Sequence, residues 1–353
     1  MFVDTGSTIS MLKRSTASDL GLKITEPPPR PDLSPGGLNF ALTEPGDLGF
    51  LNSTARVRFG VQDMPNYVRF DADGVVGWSE LRRKIVFFDA LIHQIRLLDK
   101  LPDDIAGWAR LRVFPSRQML ILETPMPGGP PGLIYVDTGN PSGIGLSPQH
   151  WREWRAAHLG EPETMRIYFT PGAGVVMSEQ AWARSIPLGP IMVTDTPVEE
   201  GDPVTTAEGG AQHVATLGMA ALRRLDFIFD GTQNVVYLRP KVSTALPFEH
   251  NRLGAVFTPL DDEGESLMAK VVAGTPAYEA GLRDGDIITS INNVTELNWR
   301  KHPKIGLPDF NWDAGTKVRF QVYRNGGHYL LFARLRDLIG PGSAGYTSAT
   351  SGH

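Results

Sequence analysis

The feature that most constrains this chain is an internal repeat. The opening segment FVDTGSTIS, residues 2–10, has a second copy in LIYVDTGNPSGIGLS, residues 133–147. A given tripeptide is expected by chance only about 0.04 times in a chain of this length, so two Asp-Thr-Gly copies behind short apolar runs indicate duplication. The sequence therefore predicts two copies of one folded unit.

A second pair of segments supports the duplication. Residues 77–89 align without gaps with residues 218–230, and the two segments share Gly, Leu, two Arg, Phe and Asp. Each leading glycine, Gly77 or Gly218, follows a short β-type stretch. The order and approximate spacing of both motifs are the same in the two halves, so the repeated unit includes both.

Each unit is predicted to be mainly β. Short apolar or alternating segments between turns rich in Gly and Pro predict strands at residues 55–61, 67–70, 119–122 and 235–238. Helices are predicted to be few. The best candidate covers residues 147–158, with Ser147 as N-cap and Pro148 at the first helical position. Shorter helices are predicted around residues 80–84 and 220–225.

Composition excludes several classes of function. The 353 residues are 41% hydrophobic and carry a net charge of -5 with scattered basic residues, which argues against a nucleic-acid partner. No apolar run approaches the ~20 residues of a membrane helix. The chain has no cysteine, its eight histidines show no metal-ligand spacing, and it has no phosphate-binding loop motif. We therefore expect no metal and no cofactor.

The two units resemble the two halves of a retropepsin-like aspartic protease. That family has an apolar strand entering Asp-Thr-Gly, a crossing segment that ends in glycine, a short helix and a hairpin. Here these elements are residues 2–7 with 75–77, and residues 135–140 with 216–218. The resemblance covers residues 1 to about 240 and implies a mainly β, two-lobed domain of aspartic-protease-type β-barrels that hydrolyses peptide bonds.

The resemblance makes Asp4 and Asp137 the catalytic pair. Two carboxyl groups about 3 Å apart share one proton, so one acts as base on a water while the other polarises the scissile carbonyl. The sequence does not assign the proton to either aspartate. Thr5 and Thr138 are implied to bond across the two halves.

The remaining positions of the two motifs have supporting roles by resemblance. Gly6 and Gly139 permit a sharp turn with backbone amides near the carboxylates. Ser7 fits the family position that bonds the outer carboxylate oxygen. Asn140 departs from the family pattern: its amide can donate the same bond, but its bulk can misplace Asp137.

A mobile hairpin that covers the substrate is also expected. Residues 35–50 and residues 169–177 are both rich in Gly and contain apolar positions. The first is preferred by analogy with two-lobed relatives. An ordinary surface hairpin remains the alternative for either segment.

The C-terminal part resembles a PDZ domain. Residues 275–293 follow that family's small-Pro-Ala-x-x-Ala-Gly-Leu-x-x-Gly-Asp-x-Ile pattern, with Pro276 opening a helix, Gly281 closing it and three or four strands around it. The resemblance implies capture of an extended peptide by strand addition and of a C-terminal carboxylate by loop amides. The corresponding loop departs from the usual Gly-Leu-Gly-Phe type and consists of Arg252, Leu253, Gly254 and Ala255.

These patterns divide the chain into four parts. We expect a first lobe at residues 1–101, a second at 102–240, the PDZ domain at 247–338 and a flexible tail at 339–353. The second Asp-Thr-Gly strand is preceded by a hairpin strand, whereas the first has only three residues before its aspartate. We therefore expect a missing upstream segment, and an extracytoplasmic location if that segment holds a signal peptide.

Two other functions stay open. GNPSG, residues 139–143, weakly matches the nucleophile loop of trypsin-like serine proteases, although Pro141 spoils the spacing and His93 lacks the expected context. The second is a peptide-binding scaffold whose protease lobes have decayed around Asn140. In each case a protein or peptide is the expected partner.

Overall fold

The structure is a computed structural model that describes residues 1–26, 40–50, 53–61, 71–89, 92, 94–116, 119–126, 131–170, 174–201, 212–241 and 248–340. Several predictions fall outside the described residues. These are the strand at 67–70, His93, the tail beyond residue 340, and parts of both hairpin candidates, namely residues 35–39 and 171–173.

The chain divides into two compact units. The first contains the described residues of Met1–Asp63, Asp71–Ala157 and Ala183–Leu246, and the second contains those of His158–Trp182 and Pro247–His353. Residues 158–182 thus group with the C-terminal module, residues 248–340, whereas the sequence pattern places them in a second lobe at residues 102–240.

The protein is mainly β. The strands before the third helix are β1 (Phe2–Asp4), β2 (Met11–Leu12), β3 (Ile24–Thr25), β4 (Ala41–Thr43), β5 (Gly46–Phe50), β6 (Ser53–Val57), β7 (Gly60–Val61), β8 (Gly74–Gly77), β9 (Ile85–Asp89), β10 (Gln94–Leu98), β11 (Ala109–Arg112), β12 (Leu120–Thr124), β13 (Gly132–Val136) and β14 (Ile144–Leu146). Those after it are β15 (Glu163–Thr170), β16 (Gly174–Leu188), β17 (Ile191–Glu200), β18 (Gln212–Leu217), β19 (Leu225–Asp230), β20 (Val235–Pro240), β21 (Ala255–Pro259), β22 (Leu267–Val271), β23 (Ile287–Ile291), β24 (Lys317–Arg324) and β25 (Gly327–Arg334). The helices are α1 (Arg14–Asp19), α2 (Trp78–Leu81), α3 (Pro148–Ala157), α4 (Met219–Leu222) and α5 (Pro276–Glu279), with a 3₁₀ turn at Ile105–Gly107.

The same strand pairings surround both Asp-Thr-Gly motifs in the first unit. β1 pairs in parallel with β8, and β13 pairs in parallel with β18. β2 is antiparallel to β8 and parallel to β7, while β14 is antiparallel to β18 and parallel to β17. A short helix and an antiparallel hairpin follow in each half, β9–β10 after α2 and β19–β20 after α4. The duplicated motifs therefore have a duplicated topology.

A five-stranded sheet joins the two halves of the first unit. Its order is β10-β9-β19-β20-β11, and β9 is antiparallel to β19 with Phe88 opposite Phe227. These two rings are buried and meet edge to face with centroids 5.4 Å apart. Such aromatic pairs contribute about 0.5–1.5 kcal/mol beyond the area they bury, so the join is part of the core.

The prediction of β-barrel lobes needs correction. Among the described strands each sheet is open, including the six-stranded sheet β1-β8-β2-β7-β4-β3 near the first motif. The strands of that sheet have only two to four residues each. A closed barrel needs tilted strands with a continuous ladder around the ring, which such short pieces do not supply.

The helix predictions are largely confirmed. α3 begins at Pro148 as expected, and the amide of Trp151 donates to the Ser147 carbonyl at 2.8 Å. α2 and α4 begin directly after Gly77 and Gly218, slightly earlier than predicted. The predicted strand at residues 55–61 is divided into β6 and β7.

The C-terminal module is an antiparallel sheet of five strands in the order β21-β22-β23-β24-β25. α5 begins with Pro276, and Gly281 follows it with φ of 97°, as the sequence predicts. One strand more is present than predicted. Large buried side chains of this module include Phe257, Trp299 and Phe320.

A hairpin segment belongs to the second unit beside this sheet. It consists of β15 and residues 174–182 of β16, paired from Thr170 opposite Gly174 to Glu163 opposite Ala181. Met165 and Ile167 of β15 are buried in the same core as Phe257. The hairpin segment is therefore part of the packing of this unit.

Candidate functional site

Both Asp-Thr-Gly motifs begin where a strand ends and the chain turns. β1 ends at Asp4, and Asp137 follows β13 directly. In the first turn the amide of Ser7 donates to the Asp4 carbonyl at 3.3 Å, and in the second the amide of Asn140 donates to the Asp137 carbonyl at 3.3 Å. The two aspartates therefore occupy equivalent positions of one repeated turn.

The structure brings the two predicted catalytic carboxyl groups together. A side-chain hydrogen bond joins Asp4 and Asp137. Each carboxyl also lies against the glycine of the other half: a Cβ added at Gly6 would be 2.8 Å from the Asp137 Cγ, and one added at Gly139 would be 2.6 Å from the Asp4 Cγ. Neither glycine has a positive φ. Glycine is thus required here by the close approach of the opposite carboxyl.

Backbone amides orient both carboxyl groups. The amide of Gly6 donates to the Asp4 Oδ1 at 2.7 Å. The amides of Gly139 and Asn140 donate to the Asp137 Oδ1 at 2.9 and 3.2 Å. One oxygen of each carboxyl is therefore fixed by its own turn.

Two threonines bind the halves together reciprocally. The Thr5 hydroxyl donates to the Val136 carbonyl at 2.5 Å and accepts from the Thr138 amide at 3.2 Å. The Thr138 hydroxyl donates to the Val3 carbonyl at 2.8 Å and accepts from the Thr5 amide at 3.1 Å. Each hydroxyl thus bridges from its own half to two backbone groups of the other.

Burial raises the pKa of Asp137 above its ordinary value of 3.8, and the charge and hydrogen bond of Asp4 raise it further. The amides of Gly139 and Asn140 oppose the shift because they stabilise the ionised form. The carboxyl pair therefore retains a proton to a higher pH than an isolated aspartate does.

Ser7 and Asn140 do not make the bonds that the resemblance implies. The Ser7 hydroxyl donates to the Ile9 carbonyl at 2.9 Å, because the turn brings that carbonyl within reach. The Asn140 Oδ1 accepts from the Ser142 amide at 3.0 Å. Both side chains thus stabilise the loop after the aspartate.

Gly77 and Gly218 lie under these loops at the starts of α2 and α4. A Cβ at Gly77 would be 2.4 Å from the Ile9 carbonyl oxygen, and one at Gly218 would be 2.5 Å from the Ser142 carbonyl oxygen. The Gly77 amide donates to the Ser10 hydroxyl at 3.1 Å. Ser10 is fully buried, and no motif in the sequence pointed to its role.

The helix starts also hold the aspartate loops. The amide of Trp78 donates to the Ser7 carbonyl, and the amide of Met219 donates to the Asn140 carbonyl, each at 2.8 Å. The crossing segment and the aspartate turn are therefore bonded in the same way in both halves.

The serine-protease alternative does not fit the position of Ser142. Its side chain is 1% exposed, and its hydroxyl has no hydrogen-bond partner among the described residues. A nucleophile needs an adjacent base and access to substrate. Ser142 has neither in the described part of the chain.

Both candidate covering hairpins contain strands where they are described. Residues 46–50 form β5, which pairs with β6, and residues 169–170 and 174–177 belong to the β15–β16 pair. The second candidate lies in the hairpin segment of the second unit.

The predicted carboxylate-binding loop is bonded internally. The amides of Leu253 and Gly254 donate to the Asn251 Oδ1 at 2.9 and 3.0 Å, and the amide of Arg252 donates to the Phe310 carbonyl at 3.1 Å. The buried members of the loop are Leu253, Gly254 and Ala255. Carboxylate capture at this loop requires Asn251 to release the two amides, a role that the sequence pattern did not reveal.

No group of three or more His, Cys, Asp and Glu in the described residues has the arrangement of a metal site. None of the described helices has the length and apolar character needed to cross a membrane.

Comparison with known proteins characterises the C-terminal module. The family model of the PDZ domain matches residues 268–299. This part of the chain is similar to a PDZ domain, which supports peptide-ligand binding. No curated protein matches the chain.

The chain also has a distant similarity to solved structures. One of them is the HtrA-type protease AlgW, a serine-to-alanine variant with a decapeptide, at 16% sequence identity and a TM-score of 0.20. The match covers 52% of this chain and 62% of that protein, less than two thirds of its length. At this TM-score the similarity carries no conclusion about fold or activity.

Proposed function

We propose that the first unit is an aspartic-type endopeptidase and that the PDZ domain binds its polypeptide substrate or a partner. In this proposal the two catalytic halves are residues 1–101 and, apart from residues 158–182 of the second unit, residues 102–240. The hydrogen-bonded pair of Asp4 and Asp137, on two equivalent turns, carries the proposal. Paired carboxyl groups that share a proton supply both an acid and a base at one place.

The proposed reaction uses one water molecule. The ionised carboxylate takes a proton from the water as its oxygen attacks the peptide carbonyl carbon, and the protonated carboxyl donates its proton to the carbonyl oxygen. The resulting diol collapses with cleavage of the C–N bond. The proton held by the first carboxylate passes to the leaving nitrogen, and one diol hydroxyl returns its proton to the second carboxylate. The raised pKa of Asp137 keeps one proton on the carboxyl pair, so the pair supplies both the initial acid and the initial base.

The threonine bridges support this chemistry by fixing the distance between the carboxyl groups. The bonds of Thr5 and Thr138 run to backbone groups next to the aspartates. A small displacement of either acid or base lowers the rate strongly, because the reacting groups must stay aligned.

Cleavage of quenched-fluorescent casein between about pH 3 and 7 tests the proposal, since a carboxyl pair works with one proton. Asp4→Asn and Asp137→Asn should each abolish cleavage. Asp19→Asn, which changes an exposed aspartate of α1, should leave it unchanged. Retained cleavage in either pair variant, with the wild-type level in the control, would rule out the proposed mechanism.

A non-cleaving peptide-binding scaffold is the second candidate. The observation that favours it is that the Ser7 hydroxyl and the Asn140 Oδ1 form bonds within their loops. Pepstatin separates the two candidates, because it binds an intact carboxyl pair. Peptide binding by the chain, with no pepstatin protection of the first unit and no casein cleavage at any pH between about 3 and 7, would support the scaffold.

A further inference from the structure

The outer edge of β21 is the place where this PDZ domain would add a peptide strand. β21 is the end strand of its sheet and pairs with β22. The carbonyl of Gly254 bonds to the amide of Val272, so in this antiparallel pair the polar groups of Ala255 and Phe257 point outward. An extended peptide binds such an edge through its main chain.

Side chains of this module bond both outward carbonyl groups. The Asn251 Nδ2 donates to the Ala255 carbonyl at 2.8 Å, and the Trp299 indole donates to the Phe257 carbonyl at 3.4 Å. The second bond is long and therefore weak. The stronger of the two bonds is therefore at Ala255, near the start of β21, where the Asn251 side chain also accepts from the loop amides.

The hairpin segment lies close to β21. β15 is adjacent to β21 within the second unit. Because side chains alternate along a strand, Met165 and Ile167 share one face of β15, and both are buried in the core that contains Leu253 and Val256. Val175, on the partner strand of the hairpin segment, packs partly buried against the same core.

A buried hydrogen bond fixes the hairpin segment to the loop. Thr164 is fully buried, and its hydroxyl donates to the Asn251 carbonyl at 2.6 Å. The side chain of Asn251 accepts from two loop amides and donates to the Ala255 carbonyl. Asn251 thus connects the hairpin segment to the groups that an incoming peptide would need.

We propose that the hairpin segment is an internal occupant of the peptide-binding edge of this PDZ domain. An external peptide binds at β21 only after the hairpin segment leaves. The contact is therefore autoinhibitory for peptide binding. It rests on the PDZ domain and on contacts inside the second unit, so it holds whether or not the carboxyl pair cleaves peptides.

The test uses the full chain and a fluorescein-labelled peptide that copies residues 163–170, ETMRIYFT. In the wild type the edge is occupied, so the peptide should bind weakly. Met165→Asp places a charge in the core side of β15 and should release the hairpin segment, which should tighten peptide binding by roughly tenfold or more. Fluorescence anisotropy gives both dissociation constants.

A matched control changes the exposed side of the same hairpin segment. Met177 is 42% exposed, so Met177→Asp should leave peptide binding at the wild-type level. Hydrogen exchange of β22 and β24 reports in parallel whether the sheet stays folded. Equal peptide affinity in the wild type and in a folded Met165→Asp variant would overturn the proposal.

Thr164→Val tests the proposal if Met165→Asp does not fold. It removes the bond to Asn251 and keeps the volume of the side chain. Tighter peptide binding than in the wild type supports an occupied edge. Unchanged affinity in Thr164→Val, together with unchanged exchange of residues 163–170, would count against it.

Discussion

Replacing Thr5 by valine tests how the two halves are joined. Valine has nearly the shape of threonine, so the change removes the hydroxyl and little else. Thr5 is fully buried, and its hydroxyl serves the Val136 carbonyl at 2.5 Å and the Thr138 amide at 3.2 Å. Both groups lose this partner in Thr5→Val.

The magnitude follows from the cost of unpaired groups. A buried donor or acceptor without a partner costs about 1–3 kcal/mol, so two such groups, one of them only half-buried, lower the free energy of local opening by about 2–4 kcal/mol. Hydrogen exchange measured by mass spectrometry reports this free energy locally. Since each 1.4 kcal/mol is about tenfold, residues 1–12 and 131–146 should exchange roughly 30- to 700-fold faster.

Thr25→Val is the matched control, because Thr25 is an exposed threonine of β3. Surface changes of this kind stay within about 0.5 kcal/mol, or roughly twofold in exchange. Thr138→Val should have a smaller effect than Thr5→Val, since Thr138 is only half-buried. The reasoning fails if Thr5→Val and Thr25→Val exchange at the same rate around both motifs.

Three further predictions concern other features of the structure. Gly254→Ala should destabilise the second unit by about 2–4 kcal/mol, because Gly254 has φ of 75° and a Cβ there would be 2.2 Å from the Thr275 Cβ. Gly274→Ala, with φ of 73° and open space, isolates the strain at about 1–2 kcal/mol; urea unfolding compares the two, and equal costs would contradict the packing argument. Burial lowers the pKa of His250 below 6.5, so its contribution to stability is full above that pH and is lost as pH falls. The unfolding midpoints at about pH 7.5 and pH 5 should therefore differ less in His250→Gln than in the wild type. An unchanged difference would show that His250 is not the source of the pH dependence. Burial raises the pKa of Asp137, so the contribution of this group to stability is full below pH 3.8 and is lost as pH rises. Asp137→Asn should therefore stabilise the first unit most at neutral pH. Thermal unfolding that shows no such gain would contradict the raised pKa.

The repeat made much of the first unit predictable. The motif residues are ones that the structure needs for local reasons: glycine where a carboxyl or a carbonyl approaches closely, and threonine where a hydroxyl must bridge two backbone groups. Because both copies carry these residues in the same order, the pairing of β1 with β8 and of β13 with β18 could be expected.

The placement of the hairpin segment could not be predicted in the same way. The alternation of Met165 and Ile167 indicates a strand with one buried face, but a single sequence does not show which surface that face covers. Asn251 was missed for a related reason. Its bonds to Leu253 and Gly254 depend on the fold of the loop, and asparagine is common in ordinary turns.

The crossed contacts of Gly6 and Gly139 have a consequence for how the two copies can evolve. The backbone conformation of each glycine would accept a side chain, but a Cβ would collide with the carboxyl group of the other copy. A change at Gly6 is therefore selected against through its effect on Asp137, and a change at Gly139 through its effect on Asp4. At these four positions the copies of a duplicated gene segment are not free to drift apart, however much the strands around them diverge.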